Sequence, residues 1–142
     1  MSLANRRSTV ILYSDPEGFY SHSIRIVLFE KDVQADIIGV DPEHKPEALS
    51  NVNPYNSLPT LVDKELALHE PKIILEYLDE RFPHPPLMPV YPVARAKTRS
   101  FLYRMEQEWF PSVRKILDSL NPQSEETQKE RKILLDLSLI HI

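Results

Sequence analysis

The chain has 142 residues, enough for one domain, or for one small domain and part of another. Hydrophobic residues make up 42% and charged residues 27%, a globular balance that excludes wholesale disorder and collagen-like or mucin-like repeats. The net charge of −4 gives no general attraction for nucleic acid. The absence of cysteine excludes disulfides, thiolate metal sites and a cysteine nucleophile, and suits a reducing cytoplasm. Met1–Arg7 carries two charges with no apolar stretch of secretory length behind it, so no signal peptide is expected. No apolar run approaches the ~20 residues a membrane helix needs. Thirteen prolines against two glycines make stiff connections and leave no glycine-rich phosphate loop.

Ser8–Ser14 (STVILYS) is short, apolar and β-rich, and reads as a buried strand. Asp15-Pro16-Glu17-Gly18 is a turn. Ser21–Lys31 sets Ile24, Val27, Leu28 and Lys31 at helical spacing, with Ser21 or Ser23 expected to cap the start. Gln34–Val40 reads as a second strand, followed by a loop at Asp41–Pro46 and a short helical turn from Pro46 to Val52. Leu61-Val62 and Leu66–Leu68 flank Asp63-Lys64-Glu65 and predict a hairpin. Pro71–Phe82 is an amphipathic helix: Ile74, Leu75, Leu78 and Phe82 form its stripe, and Glu76, Asp79 and Glu80 face water. The order β-α-β-(α)-β-β-α predicts one four-stranded sheet with strands one and two parallel.

Four prolines between Pro83 and Pro89 predict an extended, polyproline-like linker and a domain boundary. A long helical stretch runs from Pro92 to Leu117, with Phe101, Leu102, Met105 and Trp109 at helical spacing and a kink expected near Trp109 from Pro111. Asn121-Pro122 is a turn, and Glu125–Leu137 starts another helix. Ile133, Leu134, Leu137, Ile140 and Ile142 lack partners, so the second domain is expected to be truncated, and Leu137–Ile142 reads as a foreign or read-through tail.

Asn53-Pro54-Tyr-Asn-Ser-Leu-Pro59-Thr-Leu61, Leu68-His-Glu70 and Ile73–Leu78 resemble the glutathione transferase N-terminal domain. Tyr20-Ser-His, Arg25–Leu28 and the run Tyr77–Arg95 resemble, more closely, the branch of that superfamily that associates with bacterial RNA polymerase. The resemblance covers about residues 8–118 and fades after Leu117. It implies an α/β fold: a thioredoxin-like domain at 8–85, then the start of an all-helical domain at 86–142.

The resemblance also assigns sites. Leu58-Pro59 matches the cis-proline whose preceding backbone binds the cysteinyl part of glutathione, although Pro59 also suits a purely architectural role. Glu70-Pro71 departs from the acidic-Ser pair that holds the γ-glutamyl carboxylate at a helix N-terminus. Proline has neither N–H nor hydroxyl, so glutathione binding should suffer. Gly18 falls at the thiolate-stabilising position of the cysteine- and serine-type transferases, and Ser21 three residues on. Tyr13 and Ser14 are the stand-ins, weighed against strand-end packing and turn roles. Leu58, Pro59, Glu70 and Pro71 are therefore read as vestigial, with no catalytic residue and no cofactor.

Pro83, His84 and Pro85 match the branch's contact surface for the transcription machinery, with Tyr91 as a neighbour; a stiff inter-domain linker is the plainer reading. His22, His44, His69 and His141 lack metal-ligand spacing, so no metal is expected. Residues 93–115 hold six bases (Arg95, Lys97, Arg99, Arg104, Arg114, Lys115) against Glu106 and Glu108. They read as a solvated face or a surface for an acidic partner, with Phe101, Tyr103 and Trp109 in the core. The expectation is a cytoplasmic, homodimeric, non-catalytic regulator of transcription in the stringent or starvation response. It would touch RNA polymerase holoenzyme and its sigma factor, with no sequence-specific nucleic-acid contact and no membrane. An active glutathione transferase or related thiol-handling enzyme is the alternative, and a chaperone-like or storage fragment the third reading.

Overall fold

The computed structural model describes residues 9–119 and 121–141, the side chains of Ile140 and His141 apart. Expectations resting on Met1–Ser8, on those two side chains and on Ile142 lie outside the described residues. The chain divides into two compact units between Leu87 and Met88.

The first unit is a four-stranded mixed sheet with helices on both faces. Strands β1 (Val10–Ser14), β2 (Ala35–Gly39), β3 (Thr60–Asp63) and β4 (Leu66–Leu68) lie in the order β2-β1-β3-β4. β1 runs parallel to β2 (Leu12 opposite Ile37) and antiparallel to β3 (Leu12 opposite Leu61), and β3 pairs with β4 as the hairpin. The parallel pair follows from helix α1 (Phe19–Glu30), because a parallel connection needs a crossover. Alternation along β1 divides the core. Val10 and Leu12 face α1 and helix α3 (Pro71–Arg81), joining Ile24, Leu28, Leu61, Ile74 and Leu78. Tyr13 faces the other way with Val40 and Leu49, the latter from the short helix α2 (Glu47–Val52). Ile24/Leu28 and Ile74/Leu78 are i, i+4 pairs, each side chain contributing roughly 1.5–3 kcal/mol on burial.

Three details of this unit differ from the sequence reading. Neither serine caps α1: Gly18 is its N-cap, Ser21 is buried and accepts from the Asp15 N–H, and Ser23 donates back to the Phe19 carbonyl. Asp79 does not face water; it is the acceptor for a buried lysine. Residues 82–91 are a succession of bends rather than an extended rod, with Phe82 the C-cap of α3.

The second unit carries α4 (Pro92–Arg104), a π-helical turn (Met105–Trp109), α5 (Phe110–Asp118) and α6 (Glu125–His141). The irregularity expected from Pro111 is a π-turn. Pro111 has no N–H to give the Gln107 carbonyl four residues back, and its ring crowds that carbonyl; the wider turn accommodates both. Ser124 starts α6, its hydroxyl accepting from the Thr127 N–H at 3.2 Å. Phe101 and Tyr103 are not core: they are 43% and 62% exposed, because the described helices leave that side of α4 open. Ile133 is exposed, while Leu134 and Leu137 are half-buried.

Candidate functional site

The turn after β1 is where the resemblance places a thiol site. Asp15 organises it. Its carbonyl accepts from Gly18 N–H at 3.2 Å and its carboxylate from Glu17 N–H at 3.0 Å. Arg25, one helical turn beyond Ser21, caps the same turn: it donates to the Asp15 carbonyl at 3.0 Å, to the Pro16 carbonyl at 3.3 Å, and to the Ser14 hydroxyl. Ser14 and Tyr13 are both buried, Ser14 under Arg25 and Tyr13 in the second core cluster. The Ser14 hydroxyl is taken up by Arg25 rather than left free for a thiolate. A side chain at Gly18 would begin 2.9 Å from the Asp15 carboxylate oxygen.

The loop before β3 is held from within. Buried Asn53 donates to Ser57 Oγ (3.0 Å) and Thr60 Oγ1 (2.9 Å), and its own side-chain oxygen accepts from Tyr55 N–H (3.0 Å). Asn56 takes a φ of 49°, and the Leu58–Pro59 bond is cis. Glu70 is the N-cap of α3 and Pro71 its first residue; the Glu70 side chain makes no capping bond. The first turn of α3 offers one donor fewer at Pro71. Tyr55 and His69 stack with ring centres 4.9 Å apart beside this turn.

The segment 82–87 is anchored by residues that the sequence reading did not single out. Lys31, the C-cap of α1, has a fully buried side chain. Its ammonium group donates to Asp79 Oδ1 at 2.5 Å, to the Phe82 carbonyl at 2.7 Å and to the Pro85 carbonyl at 2.6 Å. Asp79 Oδ1 also accepts from Leu87 N–H at 2.9 Å. Pro83, His84 and Pro85 are exposed on this frame. One signal was present: Lys31 continues the apolar spacing of Ile24, Val27 and Leu28 and therefore points inward. Tyr91 stands in the second unit and is 78% exposed.

The remaining candidates do not converge. His44 Nδ1 lies 2.8 Å from Asp41 Oδ2, which holds the Asp41 carboxyl below its usual range, with the Glu43 N–H as the lesser cause. His22 neighbours Arg25, and His69 stacks on Tyr55. Among the described residues no group of three His, Asp or Glu side chains could hold a metal ion. No helix among the described residues is long and apolar enough to cross a membrane. On α4, Val93, Ala96, Lys97, Ser100, Phe101 and Arg104 line an open groove of about 480 Å³. Of the six bases, Arg104 pairs with Glu108 at 3.4 Å and Lys115 with Glu130 at 2.8 Å.

Residues 12–86 match the family model of the glutathione S-transferase N-terminal domain. Stringent starvation protein A homologues of Coxiella burnetii and Pasteurella multocida are 53% and 55% identical to the chain over 125 and 114 residues. These alignments cover 88% and 80% of this chain, and 59% and 54% of those proteins. The chain therefore spans a little over half the length of these curated relatives. The tau-class glutathione S-transferase of mango, Mangifera indica, superposes with a TM-score of 0.77 at 25% identity, over 92% of this chain and 60% of that one. The resemblance read from the motifs around Pro59, Glu70 and Tyr77–Arg95 is borne out, as is the thioredoxin-like α/β fold followed by helices. The chain belongs to the glutathione S-transferase family through its N-terminal domain, and over most of its length it is similar to stringent starvation protein A homologues.

Proposed function

We propose that the protein is a non-catalytic, RNA polymerase-associated regulator of transcription in the starvation response, acting in the cytoplasm by protein–protein contact with the holoenzyme and its sigma factor. Pro83, His84 and Pro85 carry the contact; Tyr91 is assigned to partner binding as well. The observation that supports this reading best is the exposed Pro-His-Pro segment on a buried ionic anchor. A pre-set loop loses little backbone entropy on binding, so a small exposed surface gives usable affinity. Homodimer formation belongs to the same reading. Two departures support the absence of chemistry. Gly18 supplies no thiolate-stabilising group where the family has one, and Pro71 removes a backbone donor and a hydroxyl from the carboxylate site.

The test is co-purification of RNA polymerase holoenzyme with this protein and with its His84→Ala form. Capture by the wild type and loss in the variant supports the site. Equal capture by both refutes the site and keeps the partner. Capture by neither refutes the polymerase reading. The rival, a glutathione transferase, draws on the cis Leu58–Pro59 bond and on Glu70 at the start of α3. Retention on immobilised glutathione with turnover of an electrophile would establish it.

A further inference from the structure

We propose that Lys31 and Asp79 are positioning residues for the Pro83-His84-Pro85 surface, an inference that rests on the reading of that surface as a partner contact. A lysine with a fully buried side chain is rare unless paired. A buried ion pair is a poor source of stability, since apolar side chains of similar volume often serve as well or better. The geometry gives this pair another task. An ammonium group has three donors, and here all three are used: one on Asp79 and one each on the carbonyls of Phe82 and Pro85, which bracket Pro83 and His84.

The loop's composition makes such an anchor necessary. Pro83, Pro85 and Pro86 have no N–H, so within 83–86 only His84 can donate from the backbone. A turn built of acceptors cannot close on itself; it needs donors from outside. Lys31 supplies two on one side. Asp79 returns the favour at the far end, where Leu87 N–H binds the same carboxylate oxygen that holds Lys31. One buried pair, at the C-terminal end of α1 and in the last turns of α3, thus fixes both ends of the segment that presents His84.

The test separates positioning from simple stability. Lys31→Met alone leaves the half-buried Asp79 carboxylate without its cation and lowers the melting midpoint. Lys31→Met with Asp79→Leu removes both charges and returns the midpoint to near that of the wild type. In that double variant the His84 amide order parameter, read by ¹⁵N relaxation on the full chain, falls from about 0.85 to below about 0.6. Polymerase capture falls about tenfold or more, in step with His84→Ala. An unchanged order parameter in a double variant of wild-type midpoint overturns the proposal. Should that variant not fold, Lys31→Leu with Asp79→Ala removes the same donors and acceptor with smaller side chains, and the same two outcomes decide. If His84 loosens while wild type, double variant and His84→Ala all capture polymerase equally, positioning stands and the contact reading fails.

Discussion

Pro71→Ser isolates the chemistry lost at the first turn of α3. In the transferases that this chain resembles, a serine here gives the γ-glutamyl carboxylate both an N–H and a hydroxyl at a helix N-terminus. Pro71 opens α3 and gives neither, while Glu70 makes no side-chain cap in its place. A hydrogen bond to a charged group is worth about 1.5–3 kcal/mol. Two restored donors at a half-buried turn, partly screened by water, should then return at least the lower figure, which is about tenfold in affinity. Against this stands a loss of about 0.4–1 kcal/mol of fold stability, because proline at a compatible φ restricts the unfolded chain. Calorimetric titration with glutathione reads the first effect and a denaturant midpoint the second. Wild-type affinity equal to that of Pro71→Ser would refute the reasoning, since the missing donors would then not be what limits the site.

Other substitutions probe the scaffold. Leu78→Ala opens a cavity between α3 and the sheet, where Leu78 is fully buried, and should cost about 2–5 kcal/mol by chemical denaturation; less than about 1 would mean the site collapses freely. Tyr77 donates to Asp63 Oδ2 at 2.8 Å, and burial first, then Asp63, raises its ionisation above the usual range. Its contribution is therefore complete below the ordinary phenol value and is lost as pH rises through the folded value, so Tyr77→Phe should lose about 1 kcal/mol at neutral pH and flatten the alkaline limb of a melting-midpoint profile. The Glu130 carboxyl is lowered, first by the Lys115 hydrogen bond and then by Ser112. Its contribution is present above the ordinary carboxylate value and is lost as pH falls through the folded one, so Glu130→Gln should flatten the acid limb of the α5–α6 helical signal; an unchanged limb refutes the linkage.

Much of the first unit is legible because its signals are local. The short apolar, β-rich run at Val10–Ser14, the polar turn at Asp63–Glu65 and the i, i+4 pairs of α1 and α3 each act within a few residues, and each element forms where they fall. What the sequence hides depends on partners far along the chain. Asp79 looks like a solvent-facing residue on an amphipathic helix, and only Lys31, 48 residues earlier, makes it an interior one. The serines of α1 illustrate the same limit, since a hydroxyl that can cap a helix can as well tie the preceding turn to it, as Ser21 does. The π-turn lies between the two cases. Pro111 announces an irregularity, but its form depends on how the helix closes around the missing bond. On α4 the apolar spacing predicts a covered face, and Phe101 and Tyr103 are open because periodicity names a face without naming what covers it.

The position that the family resemblance assigns to a thiol gives the sharpest test of whether this fold still supports that chemistry. Gly18→Cys would place a thiol at the N-cap of the twelve-residue α1, where the helix dipole favours the thiolate and lowers a thiol's pKa. The turn around it works the other way. A Cβ at Gly18 would stand 2.9 Å from Asp15 Oδ2 and 3.0 Å from Asp15 Cγ, so the new sulfur would share its space with a carboxylate that also holds Glu17 N–H. Two unit charges about 4 Å apart repel by roughly 4 kcal/mol at an effective dielectric near 20. A helix N-terminus returns about 0.3–1 kcal/mol. The carboxylate wins, and the thiolate is disfavoured. Alkylation by iodoacetamide across pH should therefore give a half-maximal rate at or above about 8.5, the ordinary thiol value, and Gly18→Cys combined with Asp15→Asn should move it down. A half-maximal rate below about 7 in the single variant would refute this account. It would mean that the turn still favours a thiolate, and that a thiol site here lacks only the side chain at Gly18, not a turn able to support it.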